Sequence, residues 1–238
     1  MKVGGVKSFW NGLSLRNKLI VAFAITTLLP LFSTMFLTLR ETTKAMKPMA
    51  FERNQYLAMY MAEQLNHMFG EKISLLHLYA KNERIMSMKH GQVESVLCNM
   101  DNIFSDVELV FVIDTSGNMV ARSDRGATNI SYADRQYFKD VINTGRTAVS
   151  DTLLSRSIGK KVIVVAEPIV KNGQIVGVIA FNLDASKVLN LVTRHTKSPH
   201  TYTFIVNKHG KALLHPDSAL VEQAANLTPL EPVKRVLQ

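Results

Sequence analysis

Arg135-Gln136-Tyr137-Phe138 is the run in this sequence best suited to holding a small anion. A guanidinium on a helix presents a planar fork of N–H donors that matches a carboxylate. Tyr137 and Phe138 beside it offer aromatic walls. Two acids stand where a counter-charge is useful: Asp151 in Val149-Ser150-Asp151, and Asp184 at the end of Asn182-Leu183-Asp184. In a strand Val149 and Asp151 share a face. From 175 to 184 the alternation puts Ile175, Gly177, Ile179, Phe181 and Leu183 on one face and Val176, Val178, Ala180, Asn182 and Asp184 on the other. The second face is smaller and ends polar, which suits a pocket wall. A buried carboxylate needs a partner, and a ligand ammonium would be one. Two plainer roles compete. Arg135 can pair with Asp151 or Asp184 inside the protein, and Asp184 can cap a helix that starts at Ala185.

Other chemical signals are weaker. Asp114-Thr-Ser-Gly117 lacks the spacing of the aspartic-protease Asp-Thr-Gly and reads as a turn. His195, His200, His209 and His215 show no metal-binding spacing and read as loop residues. No phosphate-binding loop, nucleophile elbow or kinase signature occurs. The one cysteine, Cys98, rules out an intrachain disulfide and a thiolate metal cage, and reads as a small apolar helix residue. The expectation is no enzyme, no cofactor and no metal. Lys and Arg number 28 against 19 Asp and Glu, a net charge of +9. No basic run with interleaved aromatics accompanies that excess, so nucleic acid is not an expected partner.

The elements that must position these residues follow from periodicity. Residues 41–79 read as a long helix with an apolar stripe of Leu57, Met61, Leu65, Met68, Leu76 and Tyr79. Pro48 predicts a kink or restart. The stripe suits packing on the chain's own domain and pairing with a second copy. Gly91 interrupts a second helical stretch that runs to about Ile103. Strands are predicted at 109–113, 118–122, 147–154, 162–169 and 175–183, with a helix at 134–143 stopped by Gly145. Lys171-Asn172-Gly173 makes the last two strands a hairpin. Antiparallel strands with helices on one side give an α+β domain.

Residues 19–39 carry no charge and, as a helix, span roughly 30 Å, the thickness of a bilayer core. Pro30 predicts a kink that membrane helices tolerate. Lys2, Lys7, Arg16 and Lys18 precede the stretch without any acid, so the N-terminus is expected in the cytoplasm and the chain from Arg40 outside it. Leu37-Thr-Leu-Arg40 is not a small-x-small cleavage site, which favours an anchor over a signal peptide.

The segment 111–124 is echoed at 204–217, 93 positions further on: Phe111 by Phe204, Asp114 by Asn207, Gly117 by Gly210 and Asp124 by Asp217. The echo predicts two strand-turn-strand modules in tandem, the second beginning near Tyr202 and incomplete at residue 238.

Taken together, Phe111-Val-Ile-Asp-x-x-Gly117, Asp134-Arg-Gln-Tyr-Phe138, Val149-Ser-Asp151, Gly173-x-x-x-Gly177, Asn182-Leu-Asp184, Phe204-Ile-Val-Asn-x-x-Gly210 and His215-Pro-Asp217 after a long exported helix resemble the double Cache sensor domain of methyl-accepting chemotaxis receptors. The resemblance implies a PAS-like antiparallel-sheet module distal to the membrane that binds a small ligand. It also implies a membrane-proximal module, a second membrane helix and a cytoplasmic signalling region. In the amino-acid-binding members the pattern is an Arg, then Trp-Tyr, a Tyr two before the first Asp, and a later Asp. Arg135, Asp151 and Asp184 match it. Tyr137 stands for the Trp, Phe138 for the Tyr and Val149 for the second Tyr, so two hydroxyls that would hold a carboxylate are missing.

The expected organisation is a cytoplasmic N-terminus at 1–18, a membrane helix at 19–39, a long helix with the membrane-distal module at 40–198, and the start of a membrane-proximal module at 199–238. The expected function is small-ligand sensing for chemotaxis at the bacterial inner membrane. The ligand is an amino acid or other small carboxylate or amine, bound by Arg135, Tyr137, Phe138, Asp151 and Asp184. Pairing of two copies through the long helix is expected. The alternatives are the sensor of a histidine kinase or diguanylate cyclase, and an anchored periplasmic enzyme.

Overall fold

A computed structural model describes residues 14–101, 107–194 and 202–237. Lys2, Lys7, His195, His200 and the predicted helix end at Ile103 lie outside them. Two compact units are distinguished, residues 1–62 and 63–238.

The first unit is helical. Helix α1 (Leu15–Ala80) begins here and carries both Pro30 and Pro48 inside it. The predicted kink or restart at Pro48 does not end the helix, because a proline removes one backbone donor without preventing the flanking bonds. Residues 15–42 form the one segment, among the described residues, long and apolar enough to cross a membrane. Its side chains are exposed, Phe23 by 72% and Phe32 by 68%, as lipid-facing groups would be. The threonine hydroxyls there donate back to the preceding turn, Thr26 to the Ala22 carbonyl at 2.9 Å and Thr27 to the Phe23 carbonyl at 2.8 Å. These threonine hydroxyl protons are thus paired within the helix itself. Arg40 closes the stretch with its guanidinium 5.4 Å from the Phe36 ring.

In the second unit the apolar β-branched runs become strands. β1 (Val107–Asp114) and β2 (Met119–Arg122) form a hairpin. After α4 (Gln136–Thr144) come the two-residue strands β3 (Ala148–Val149) and β4 (Leu153–Leu154), then β5 (Lys161–Lys171) and β6 (Gln174–Asp184). The sheet order is β2-β1-β6-β5-β3, with β4 also on β5, and every described pairing is antiparallel. With its helices this is the expected α+β class, but helices cover both sheet faces rather than the one predicted. Asn172 and Gly173 take φ of 52° and 79°, the left-handed pair that a two-residue hairpin needs.

Two apolar cores lie on opposite sheet faces. Val110, Val112, Ile163, Val165, Ile179, Phe181 and Leu183 pack against Leu65, Met68, Leu76 and Tyr79 of α1 and against α3 (His90–Asp101). Leu109, Phe111, Val162, Val164, Ala166, Val178 and Ala180 pack under Tyr137, Phe138 and Val141 of α4. The alternation predicted for 175–184 holds from Gly177 onward. Before it a bulge pairs Ile169 with Gly177 but Val170 with Ile175, so Val176 joins the α1 side instead of the α4 side.

Three local predictions need correction. The break near Gly91 falls earlier, at Met88 (φ 54°), between α2 (Glu83–Met86) and α3, and Gly91 sits in the first turn of α3. The predicted strand at 147–154 is split. Ser150 places its side-chain oxygen where a backbone carbonyl would accept, 2.9 Å from the Val164 N–H, which interrupts the ladder. The helix predicted from Asp134 starts at Gln136, because Asp134 is held by Arg156.

α5 (Ala185–Thr193) follows β6 directly. The C-terminal hairpin pairs β7 (Ile205–Val206) with β8 (Ala212–Leu214), followed by α6 (Ser218–Glu222) and α7 (Glu231–Leu237). The echo seen in the sequence is a shared turn. The Asp114 carboxylate accepts from the N–H groups of Ser116 and Asn118, and the Asn207 amide oxygen accepts from those of His209 and Lys211. Gly117 and Gly210 follow with φ of 89° and 73°.

Candidate functional site

Arg135 is the N-cap residue of α4, with extended backbone at φ −71° and ψ 133°. A side chain leaving the helix at this point lies over the sheet face that α4 covers. One terminal nitrogen, Nη2, donates to the Leu154 carbonyl at 3.1 Å. Its Nε is out of contact with solvent and is the one buried side-chain N or O among the described residues with no hydrogen-bond partner. Buried donors are nearly always paired, and an unpaired one costs on the order of 1–3 kcal/mol.

Tyr137 and Phe138 are both buried beneath α4, 3% and 5% exposed. Burial pushes the Tyr137 phenol well above its ordinary value, opposed by the nearby charge of Arg135. Its hydroxyl has no hydrogen-bond partner among the described residues. Tyr132 lies at the same place, stacked on Phe111 at 5.2 Å and hydrogen-bonded to Ser157. Its phenol is also raised by burial. From the sheet, buried Asn182 donates to Ser155 at 3.0 Å, next to the Leu154 carbonyl that anchors Arg135.

Two further arginines surround this cluster, each with an acid. Arg156 binds Asp134 through two hydrogen bonds of 2.6 Å and brings its carboxyl down to about 2. Buried Arg122 binds Asp124, with one bond of 2.7 Å, and also donates to the Ala127 carbonyl at 3.2 Å.

The two predicted acids turn to other partners. Asp151 is exposed, outside any strand, and accepts a 3.0 Å hydrogen bond from the Asn207 amide in the C-terminal hairpin. Its neighbour Thr152 donates to the Leu213 carbonyl at 2.6 Å. Asp184 caps α5, accepting from the Ser186 N–H at 2.8 Å and from its hydroxyl. Burial works against its charge, but hydrogen bonds from Ser186 and from the Lys187 N–H outweigh that and hold the carboxyl low. Asp184 lines a cavity of about 420 Å³, shared with Leu214 and His215. The structure therefore gathers Arg135, Tyr137 and Phe138, adds Tyr132, Ser155 and Asn182, and gives the carboxylates of Asp151 and Asp184 other partners. Ser155 and Tyr132 carry no spacing signal that reveals them. Asn182 stands out only as one of the two polar residues, with Asp184, that end an otherwise apolar strand face.

The Cache domain family model matches residues 42–235. The methyl-accepting chemotaxis protein PscA of Pseudomonas syringae pv. tomato is 30% identical over 123 residues, 52% of this chain and 18% of that protein. The chain thus spans under a fifth of PscA. Among solved structures, the ligand-binding domain of the Pseudomonas fluorescens chemoreceptor CtaA in complex with L-serine superposes with a TM-score of 0.62 at 23% identity, covering 72% of this chain and 74% of that one. The ligand-binding domain of the Pseudomonas aeruginosa amino acid chemoreceptor PctB in complex with L-Gln gives 0.65 at 18% identity, covering 75% and 72%.

Proposed function

Starting from a chain that belongs to the Cache domain family, we propose that it is the exported, membrane-anchored sensing region of a bacterial chemoreceptor, and that its ligand is an amino acid or another small carboxylate or amine. The observation that carries this reading is Arg135. Its Nε is buried and unpaired beside the unpaired hydroxyl of buried Tyr137. A donor kept from water without an acceptor is what a carboxylate would satisfy. Phe138 supplies the packing that fixes the start of α4. PscA, CtaA and PctB, as chemoreceptors, support the sensing role.

Arg16 and Lys18 ahead of the apolar segment support a cytoplasmic N-terminus, with the module on the far side of the inner membrane. The exposed residues of α1 beyond the membrane segment, such as Tyr56, Met59 and Tyr60, support pairing with a second copy. Binding at the module would bias the position of helices that reach the membrane. No catalytic step is assigned to the site.

The test is a thermal-shift screen of the full 238-residue chain in lipid nanodiscs against small carboxylates, amines and amino acids. A saturable rise in melting temperature with members of this set is expected. A flat response across the whole set would remove the sensing role from this site.

A further inference from the structure

Deepening the reading just given, and resting on it, we infer that the site takes a small monocarboxylate recognised through its carboxylate alone, with no counter-charge for an ammonium group. The argument is one of charge and partners. Arg122, Arg135 and Arg156 all lie close enough to Tyr132 for their charges to act on its phenol. Two carboxylates face them, and both are taken: Asp124 by Arg122 and Asp134 by Arg156. Arg135 forms no ion pair among the described residues, and its one hydrogen bond goes to a neutral carbonyl. The cluster therefore carries one positive charge in excess, at the group whose Nε is buried and unpaired. A monoanion neutralises it.

A zwitterion would bring an ammonium as well, and an ammonium leaving water needs an acid. Among the described residues, none is seen bonded to Arg135 or to the polar groups around it. Asp151 is exposed and bonded to Asn207. Asp184 caps α5 and faces a cavity lined with Leu214 and His215, in whose lining Arg135 has no part. Asp140 of α4 accepts from Gln136 at 2.8 Å. Glu167 belongs to the opposite face, where it binds His77 at 2.7 Å and also Thr147. What remains around Arg135 is neutral: the phenols of Tyr132 and Tyr137, Ser155 and Asn182. These can orient a carboxylate or a hydroxyl, but they cannot offset a buried cation.

The test is calorimetry on the full chain in nanodiscs with matched pairs: propanoate and 2-hydroxypropanoate against alanine, 3-methylbutanoate against valine, and 4-methylpentanoate against leucine. The carboxylates lacking an amine are expected to bind at least tenfold more tightly than their amino-acid partners. Arg135→Ala, with its fold checked by circular dichroism, is expected to lose them. Asn182→Asp keeps the side-chain shape and supplies an acid, so it should move the ratio at least tenfold toward the amino acids. If wild-type protein binds the amino acids as tightly or more tightly and Arg135→Ala loses them, the inference falls while the Arg135 site stands. If neither series binds at millimolar concentration, or Arg135→Ala binds as wild type does, both fall.

Discussion

Arg156 and Asp134 show how a residue pair beside the site responds to pH. The Arg156 hydrogen bonds hold the Asp134 carboxyl at about 2, below its ordinary 3.8. A carboxyl depressed in the folded state adds stability that is fully present above its unfolded value and fades as pH falls through the folded one. The stability difference between wild type and Asp134→Asn is therefore expected to be constant from pH 5 to 7 and to shrink from about pH 4 toward pH 2. Denaturant titrations of both proteins across that range measure it. A difference that grows as pH falls would contradict the pairing. At this scale the sequence was partly legible. Arg135, Tyr137 and Phe138 stand out as a guanidinium beside two aromatics, and α4 brings the three together. Glu167 did not stand out, since it sits inside an apolar run and its partners His77 and Thr147 are 90 and 20 residues away. Asp151 and Asp184 were visible as acids, but their hydrogen bonds depend on a strand break and a helix cap that alternation alone does not resolve.

Elements were more legible than partners. The Asn172-Gly173 turn fixes the β5–β6 register, and the alternation along β6 sorts side chains between the α1 core and the α4 core. The bulge at Val176 and the break at Ser150 escaped because each depends on a neighbouring strand. The break matters for the site. Its segment carries the Leu154 carbonyl that anchors Arg135, and through Asp151 and Thr152 it also holds the C-terminal hairpin. The Asp114 turn sets where the chain runs toward α4. Gly117 there has φ +89°, and a Cβ on it would sit 2.6 Å from the Ala133 backbone. Gly117→Ala is expected to destabilise the fold by more than about 1 kcal/mol, read as a lower midpoint in denaturant. An unchanged midpoint would show that the turn relaxes freely.

For the whole molecule, the charge-free stretch and the basic residues ahead of it predict one crossing, with the sheet module exported. A reporter active only after export, fused after residue 100, should be active, and a cytoplasm-only reporter at the same place should be silent. The reverse pattern would invert the orientation. The central claim is that this exported module holds a small carboxylate-bearing ligand on Arg135. Its most direct measurement is isothermal titration calorimetry of the full chain in nanodiscs, wild type against Arg135→Ala, with whichever small carboxylate or amino acid stabilises the wild type most. Removing a charge-assisted hydrogen bond should cost roughly 1.5–3 kcal/mol, so affinity should fall about tenfold or more while circular dichroism shows the fold retained. Unchanged affinity in a folded Arg135→Ala protein would place the ligand elsewhere.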